Sequence, residues 1–429
     1  MNQDLRDRLR RLGVHRSAGP HAAGSTSHSL HDERFHDLEV ESDQTPAPVA
    51  GLPLDLSVPL WNLELQTPAG RACVRRTQFP LDHQHGDYTL EHALSHPPHV
   101  LQRLERDAVH HTSGSSGPGS DLSTALFLDT ETTGLAGGTG TLIFLVGVGY
   151  FDGQAFTVDQ YFLPDPNEEP AMLSALQERL DRQGVLITFN GRGFDVPLLE
   201  TRFMLARMPV TLADHTNLDL LMPARRAWRV QLPSCSLSSL EFHVLNVRRS
   251  QQDIPGFLIP QLYLDYLRTR NPDALQRVMY HNLHDVLSMV SLVTRLCRAI
   301  SEPGSSGEYL SAGQHYESTG QFDAAVKAYQ AALQADANPA SPLSRRALSH
   351  LAYCLKRQER RGDAITYWQL LADAGDVQGW IELAMHYEWH AVDLERALEC
   401  AHHALALARD PVTRGDISHR IERLKRKCT

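Results

Sequence analysis

From Ala125 three strand-like segments follow one another with only short turns between them, and that succession limits the fold more than any other stretch of the 429-residue chain. ALFLD is short and apolar, TLIFLVGVGYF is a longer apolar run, and QAFTVDQYFL alternates in part, with Gly-rich turns between. Strands joined this tightly form an antiparallel meander, because a parallel partner needs a long crossover. A dinucleotide-binding fold would place a helix directly after the first strand and its glycines, whereas GLAGGTG opens into another strand. That glycine-rich stretch is not a phosphate loop either. Such a loop needs a lysine, and the four lysines of the chain stand at 327, 356, 425 and 427. Schiff-base chemistry is excluded from the same region.

After the third strand, EEPAMLSALQERLDRQG has helical periodicity, VLITFN reads as a strand and VPLLETRFMLAR as a helix. Alternation after an antiparallel start predicts a mixed α/β sheet with flanking helices. SLSSLEFHVL and the stretch from Pro272 to Ile300 read as further helices, the second with Asp285 near its middle. In the segment from Gly307, the positions Tyr309, Gly313, Tyr316, Gly320, Ala325, Tyr329, Ala332 and Leu333 have the spacing of a tetratricopeptide repeat, and two looser copies follow. The expected organisation is a disordered tail over 1–50, a small accessory segment over 51–106, a linker over 107–121, an α/β domain over 122–300 and an all-α repeat domain over 307–429.

Net charge is −10, from 41 basic and 51 acidic side chains, so the chain lacks the bulk positive charge of a protein that coats nucleic acid. Any such contact has to be local or assisted by metal. Six dispersed cysteines with no C-x-x-C pair make neither a disulfide framework nor a zinc site. The charged N-terminus lacks a signal-peptide core, and the longest apolar run is too short to span a bilayer, so a soluble cytoplasmic protein is expected.

The residues that carry chemistry are acids: Asp129 and Glu131 in FLDTETTG, Asp195 in FNGRGFD and Asp285 in HNLHDVLS. An Asp-x-Glu pair at a strand end projects both carboxylates to one side. Clustered oxygen ligands suit hard divalent cations, and two more aspartates from other segments would complete a two-metal site.

The motifs FLDTETTGL, ITFNGRGFDVPLLETRF and YHNLHDVLSM resemble those of the DEDD exonucleases of the ribonuclease H-like superfamily, over about residues 122 to 300. More narrowly, GLAGGTGTLIFLVGVGYF, LDLLMPARRAW, and SLSSLE followed by RRSQQDIPGFLIPQLY are similar to the bacterial YprB-like branch, whose nuclease-like domain is often followed by tetratricopeptide-type helices. The resemblance implies a ribonuclease H-like fold and a 3′→5′ exonuclease acting on ends of single-stranded or frayed DNA or RNA. It also implies two divalent cations, Mg²⁺ or Mn²⁺, held by Asp129, Glu131, Asp195 and Asp285. The repeats would bind a protein partner in their concave face. Two other readings stay open, a non-catalytic scaffold on the same fold and a structure-specific endonuclease using the same metals.

In the two usual subtypes the general base is a Tyr four residues, or a His five residues, before the last aspartate. Here His281 stands at minus four and Tyr280 at minus five, the reverse of each. A minus-four residue lies one turn back on the same helix face, which favours His281. Tyr280 is the alternative, and His284 points away round the helix. Thr132, Leu135 and Asn190 are candidate substrate contacts, Leu135 as a wedge against the terminal base and Asn190 as a partner of the metal ligand Asp195. Arg225, Arg226 and Arg229 around Trp228 would offer phosphate contacts and a stacking surface, though exposed helix arginines explain them as well. Asp219 and Asp253 read as a strand-end acid and a turn acid, and His83 and His85 as surface histidines.

Overall fold

The computed structural model describes residues 58–96, 100–101, 104, 121–134, 140–181, 185–209, 212, 216–250, 253–336, 338 and 340–428. The expected tail over 1–50, nearly all of the linker over 107–121, and Leu135 lie outside them.

In chain order the strands are β1 (Leu63–Thr67), β2 (Gly70–Pro80), a short pair β3 (Gln84–His85) and β4 (Tyr88–Thr89), β5 (Ala125–Thr132), β6 (Ile143–Asp152), β7 (Ala155–Phe162), β8 (Val185–Thr188) and β9 (Thr216–Asp219). Seven of them form one sheet in the order β1-β2-β7-β6-β5-β8-β9. The meander β5–β6–β7 is antiparallel, as its short turns require, while β8 joins β5 in parallel and β9 joins β8 in parallel. The two parallel joins follow helical crossovers, α1 (Glu169–Leu180) and α2 (Asp195–Leu205). The strands β5 and β6 are buried on both faces, which is why they read as unbroken apolar runs.

From the segment expected as a small accessory element over 51–106, β1 and β2 join the main sheet. Strand β2 pairs with β7 from Cys73↔Phe162 to Pro80↔Ala155. Arg76 clamps Asp159 of β7 with two hydrogen bonds, of 2.6 and 2.7 Å. A fork-to-fork ion pair on a carboxylate sealed from solvent binds this segment into the sheet. The pairing is non-local, so nothing in the local pattern announced it.

The remaining helices of the α/β unit are α3 (Leu221–Trp228), α4 (Leu237–Leu240), α5 (Ile259–Thr269) and the long α6 (Asp273–Ser301). The ring of Tyr263 in α5 stacks on Phe144 of β6 at 4.0 Å, and its hydroxyl donates to Leu163 O at 2.9 Å. Such a pair adds about 0.5–1.5 kcal/mol beyond the area it buries. A single π turn, Glu241–Leu245, continues α4 and is stopped by Asn246 in the left-handed region (φ 54). Helix α6 lies against β6 and β7, and its close approach needs glycine at 147, where a Cβ would overlap the Asn282 side chain.

The chain divides into two compact units, one of residues up to Pro223 with Ser234–Cys297, the other of Ala224–Pro233 with Arg298 onward. The second unit is helical: α7 (Ser306–Ser318), α8 (Phe322–Ala335), α9 (Pro342–Arg357), α10 (Arg361–Asp373), α11 (Val377–Trp389), α12 (Leu394–Leu407) and α13 (Pro411–Cys428). Each packs chiefly on its sequence neighbour, as in a quasi-one-dimensional array. Gly313 of α7 lets the Tyr329 ring of α8 approach where a Cβ would clash. Among the described residues no helix is long and apolar enough to cross a membrane.

Candidate metal centre

Side chains alternate along β5, so Asp129 and Glu131 share one face and Thr130 takes the other. A register shift between Glu131 and Thr132 ends the regular pairing with β6 at that point, a common device for re-aiming side chains beside active sites. The Thr130 hydroxyl donates to Asp195 Oδ1. Asp195 is the first residue of α2, and it is buried. The bond from Thr130 turns its carboxylate to the sheet.

One turn of α6 completes the cluster. Asn282 donates from Nδ2 to Asp129 Oδ2 at 2.8 Å, and its Oδ1 accepts from Gln160 Nε2 at 2.9 Å, a bond that fixes which way the amide points. His281 Nε2 lies 3.6 Å from Asp285 Oδ2. Donor atoms of Glu131, His281 and Asp285 all lie within 4.8 Å of one another. A cation can span such a set, and two carboxylates with one imidazole suit a divalent metal.

The electrostatics point the same way. Burial, followed by the charges of Asp285 and Asp195, pushes the Asp129 carboxyl well above the usual range. Burial and the neighbouring Asp129, Asp285 and Asp195 do the same to Glu131. Like-charged acids enclosed together raise one another's proton affinity, and a cation removes that penalty.

The cluster contains one strong internal cation that sequence reasoning missed. Arg249 donates from Nη2 to Asp285 Oδ1, from Nε and Nη2 to Glu241 at 2.8 and 2.5 Å, and from Nη1 to Asp253 Oδ2 at 3.3 Å. These charges together raise its affinity for its proton well above the usual arginine value, against the cost of burial. Behind it, Glu241 also accepts from Ser288 Oγ at 2.5 Å, and Ser288 Oγ is 2.8 Å from His85 Nε2. His85 is therefore a buried member of this network and not a surface histidine. Burial lowers its pKa to about 3, so it is neutral and donates from Nε2 to Ser288. His83 packs on Phe79 instead, at 4.7 Å between ring centroids.

Asp253 is more than a turn acid. Its Oδ1 accepts from His281 Nδ1 at 3.0 Å, which leaves Nε2 directed at Asp285. Burial lowers the His281 pKa, but Asp285 and the Asp253 hydrogen bond outweigh it and the net shift is upward. Tyr280 is placed differently, buried with its hydroxyl accepting from Ser250 N–H at 2.9 Å. His284 is buried under Tyr280 at 4.2 Å between ring centroids, its nitrogens without a hydrogen-bond partner among the described residues, and burial lowers its pKa to about 2. It is an apolar filler in this structure.

The candidate substrate contacts fare unevenly. The Thr132 hydroxyl donates to Gly134 O at 2.8 Å and so shapes the turn after β5. Asn190 adopts φ 61, and its backbone N–H donates to Asp219 Oδ1 at 2.8 Å. Asp219 also accepts from the N–H groups of Leu221 and Arg192, which makes it the anchor of the β8–α2 loop. Trp228 offers no stacking surface: it is buried and its indole N–H donates to Glu308 Oε1 at 3.0 Å.

Residues 126–297 match the sequence model of the RNase_H superfamily. A protein of Bacillus subtilis (strain 168), described as uncharacterized protein YprB, is 31% identical over 365 residues, covering 82% of this chain and 86% of its own. The chain belongs to the YprB family. The mixed sheet of this YprB-family chain is accordingly a ribonuclease H-like fold, with carboxylates on its interior strand β5 and a helical region after it. Membership in that superfamily points to hydrolysis of nucleic acid and to divalent metal.

Proposed function

We propose that this protein is a divalent-metal-dependent 3′→5′ exonuclease of DEDD type, acting on ends of single-stranded or frayed DNA or RNA. One observation carries the reading: four carboxylates from β5, α2 and α6 are enclosed together with too few cations to balance them, and the proton affinities of Asp129 and Glu131 rise as a result. Asp129, Glu131, Asp195 and Asp285 would hold Mg²⁺ or Mn²⁺. Bound cations would supply Lewis acidity to the scissile phosphate and to the attacking water.

The chain's own groups do the rest. Asn282 and Gln160 hold Asp129 in one orientation, and Thr130 does the same for Asp195. His281 is oriented by Asp253 and takes the proton of the attacking water at Nε2. Tyr280 is unsuited to that duty, because its oxygen is engaged by the Ser250 N–H and burial raises its pKa. The helices over 307–429 would act as tetratricopeptide-type repeats with a groove for a protein partner.

A non-catalytic binding role is favoured by one observation, the Arg249 guanidinium lying on Asp285 where a cation would otherwise approach. Incubation of the protein with 5′-labelled single-stranded DNA and a matching RNA, with Mg²⁺, Mn²⁺ or EDTA, separates the readings. A metal-dependent ladder shortening from the 3′ end, absent in Asp129→Ala, is the expected result. Intact strands with both metals would leave the binding role, and cleavage of a circular strand would make the enzyme an endonuclease.

A further inference from the structure

Helix α11 ends at Trp389, and the turn that follows carries Val392 at φ 52. A β-branched residue resists that backbone region, and strain of this kind persists where surrounding structure imposes it, often beside ligand clamps. Both side chains are exposed, Trp389 at 52% and Val392 at 72%. From α13, the guanidinium carbons of Arg420 and Arg423 lie 5.1 and 5.8 Å from the centroid of the Trp389 ring.

The same two arginines hold the neighbouring Glu388. Arg420 donates to Oε2 at 3.0 Å, Arg423 donates at 3.0 and 2.8 Å, and Lys427 donates to Oε1 at 2.9 Å. One carboxylate thus faces three cations, and positive charge is left over beside a half-exposed indole. The whole of α13 carries six basic residues against two acidic ones, on a chain whose net charge is −10. An aromatic face flanked by guanidinium groups, with surplus cations beside it, is the composition of a platform for single-stranded nucleic acid. Bases stack on the ring and phosphates meet the cations.

We propose that the α11–α12 turn and α13 form a second nucleic-acid surface, binding single strands without sequence preference. It lies in a different unit from the carboxylate cluster. The proposal takes only its choice of polymer from the nuclease reading, and binding in EDTA tests it without metal or cleavage.

The probe is a fluorescein-labelled oligothymidylate of about twenty nucleotides, titrated with full-length Asp129→Ala protein in EDTA across a range of salt. Trp389→Leu should weaken binding roughly tenfold, while Trp389→Phe, which keeps a stacking ring, should recover most of it. The double variant Lys425→Gln/Arg426→Gln leaves the Glu388 cluster intact. It should make the slope of log affinity against log salt shallower by about 1.4. Melting temperatures confirm that each variant is folded. Unchanged affinity in Trp389→Leu, no binding by the parent at low salt, or Trp389-dependent binding to phosphatidylglycerol vesicles instead of the oligonucleotide would overturn the proposal. A missing cleavage ladder with this binding intact would sink the nuclease reading alone.

Discussion

Two charge clusters built around buried acids, one in each unit, have opposite imbalances. Around Asp129, Glu131 and Asp285 the acids outnumber Arg249 and His281, and the proton affinities of Asp129 and Glu131 rise. Around Glu388 three cations answer one acid, and hydrogen bonds from Arg423 and Lys427 overcome burial to lower its pKa to about 2. The first cluster is short of positive charge and the second is short of negative charge. A fold keeps such an imbalance at a cost in stability unless a ligand offsets it. The sign of each deficit then names the ligand class, a divalent cation for one and a polyanion for the other.

The most severe break is Asp129→Asn. A metal site contributes several kcal/mol to charge stabilisation, so hydrolysis should fall by about a thousandfold or more. Stability should move the other way. In the metal-free protein the raised pKa values of Asp129 and Glu131 mean that the folded state binds more protons than the unfolded one, so stability is full at acidic pH and declines as pH rises through those raised values. Calorimetry in EDTA should show that decline flattened in Asp129→Asn and cancelled in the parent by Mn²⁺. A variant that melts lower than the parent at neutral pH would refute the repulsion argument.

Next in size is His281→Ala, expected to cost about a hundredfold in rate with the acidic limb of the pH–rate profile lost, against less than tenfold for Tyr280→Phe. Equal, small effects from both would remove the general base from the mechanism. Arg249→Met follows. Leaving Glu241 and Asp285 without their partner should destabilise the protein by about 3–5 kcal/mol. Metal affinity should weaken about ten- to a hundredfold, because outer partners set the geometry of ligands. If Mn²⁺ instead binds more tightly to the variant, the guanidinium competes with the cation and the non-catalytic role gains.

The parts of this cluster that were legible in the sequence are the local ones. The Asp-x-Glu pair, the helix carrying Asp285 and the meander follow from spacing within single segments, and the mixed sheet follows from their order. The partners that balance the charges were not legible. Arg249 meets Asp285 across 36 residues, and His85 meets Ser288 across 203. No periodicity links residues so far apart. A signal did exist, since Glu241, Arg249 and Asp253 all sit in the SLSSLE and RRSQQDIPG stretches that resemble the YprB-like branch. Their roles are set by geometry, since their partners lie on other segments. The same limit hid β2, whose Arg76 finds Asp159 across 83 residues.

The mildest change tests the second cluster. Because the Glu388 pKa is lowered to about 2 from 4.5, its contribution to stability is present above about pH 4.5 and lost as pH falls through about 2. Glu388→Gln should remove that acid-side loss and lower stability at neutral pH. The expected cost is only about 1–3 kcal/mol, since Arg423 and Lys427 are nearly half exposed and solvent screens them. The substitution also frees three cations beside Trp389, so oligothymidylate binding should tighten while the fold weakens. A variant that loses stability and binding together would show that the cluster only pins α11 to α13. Opposite movements of the two would show that its surplus charge faces a ligand.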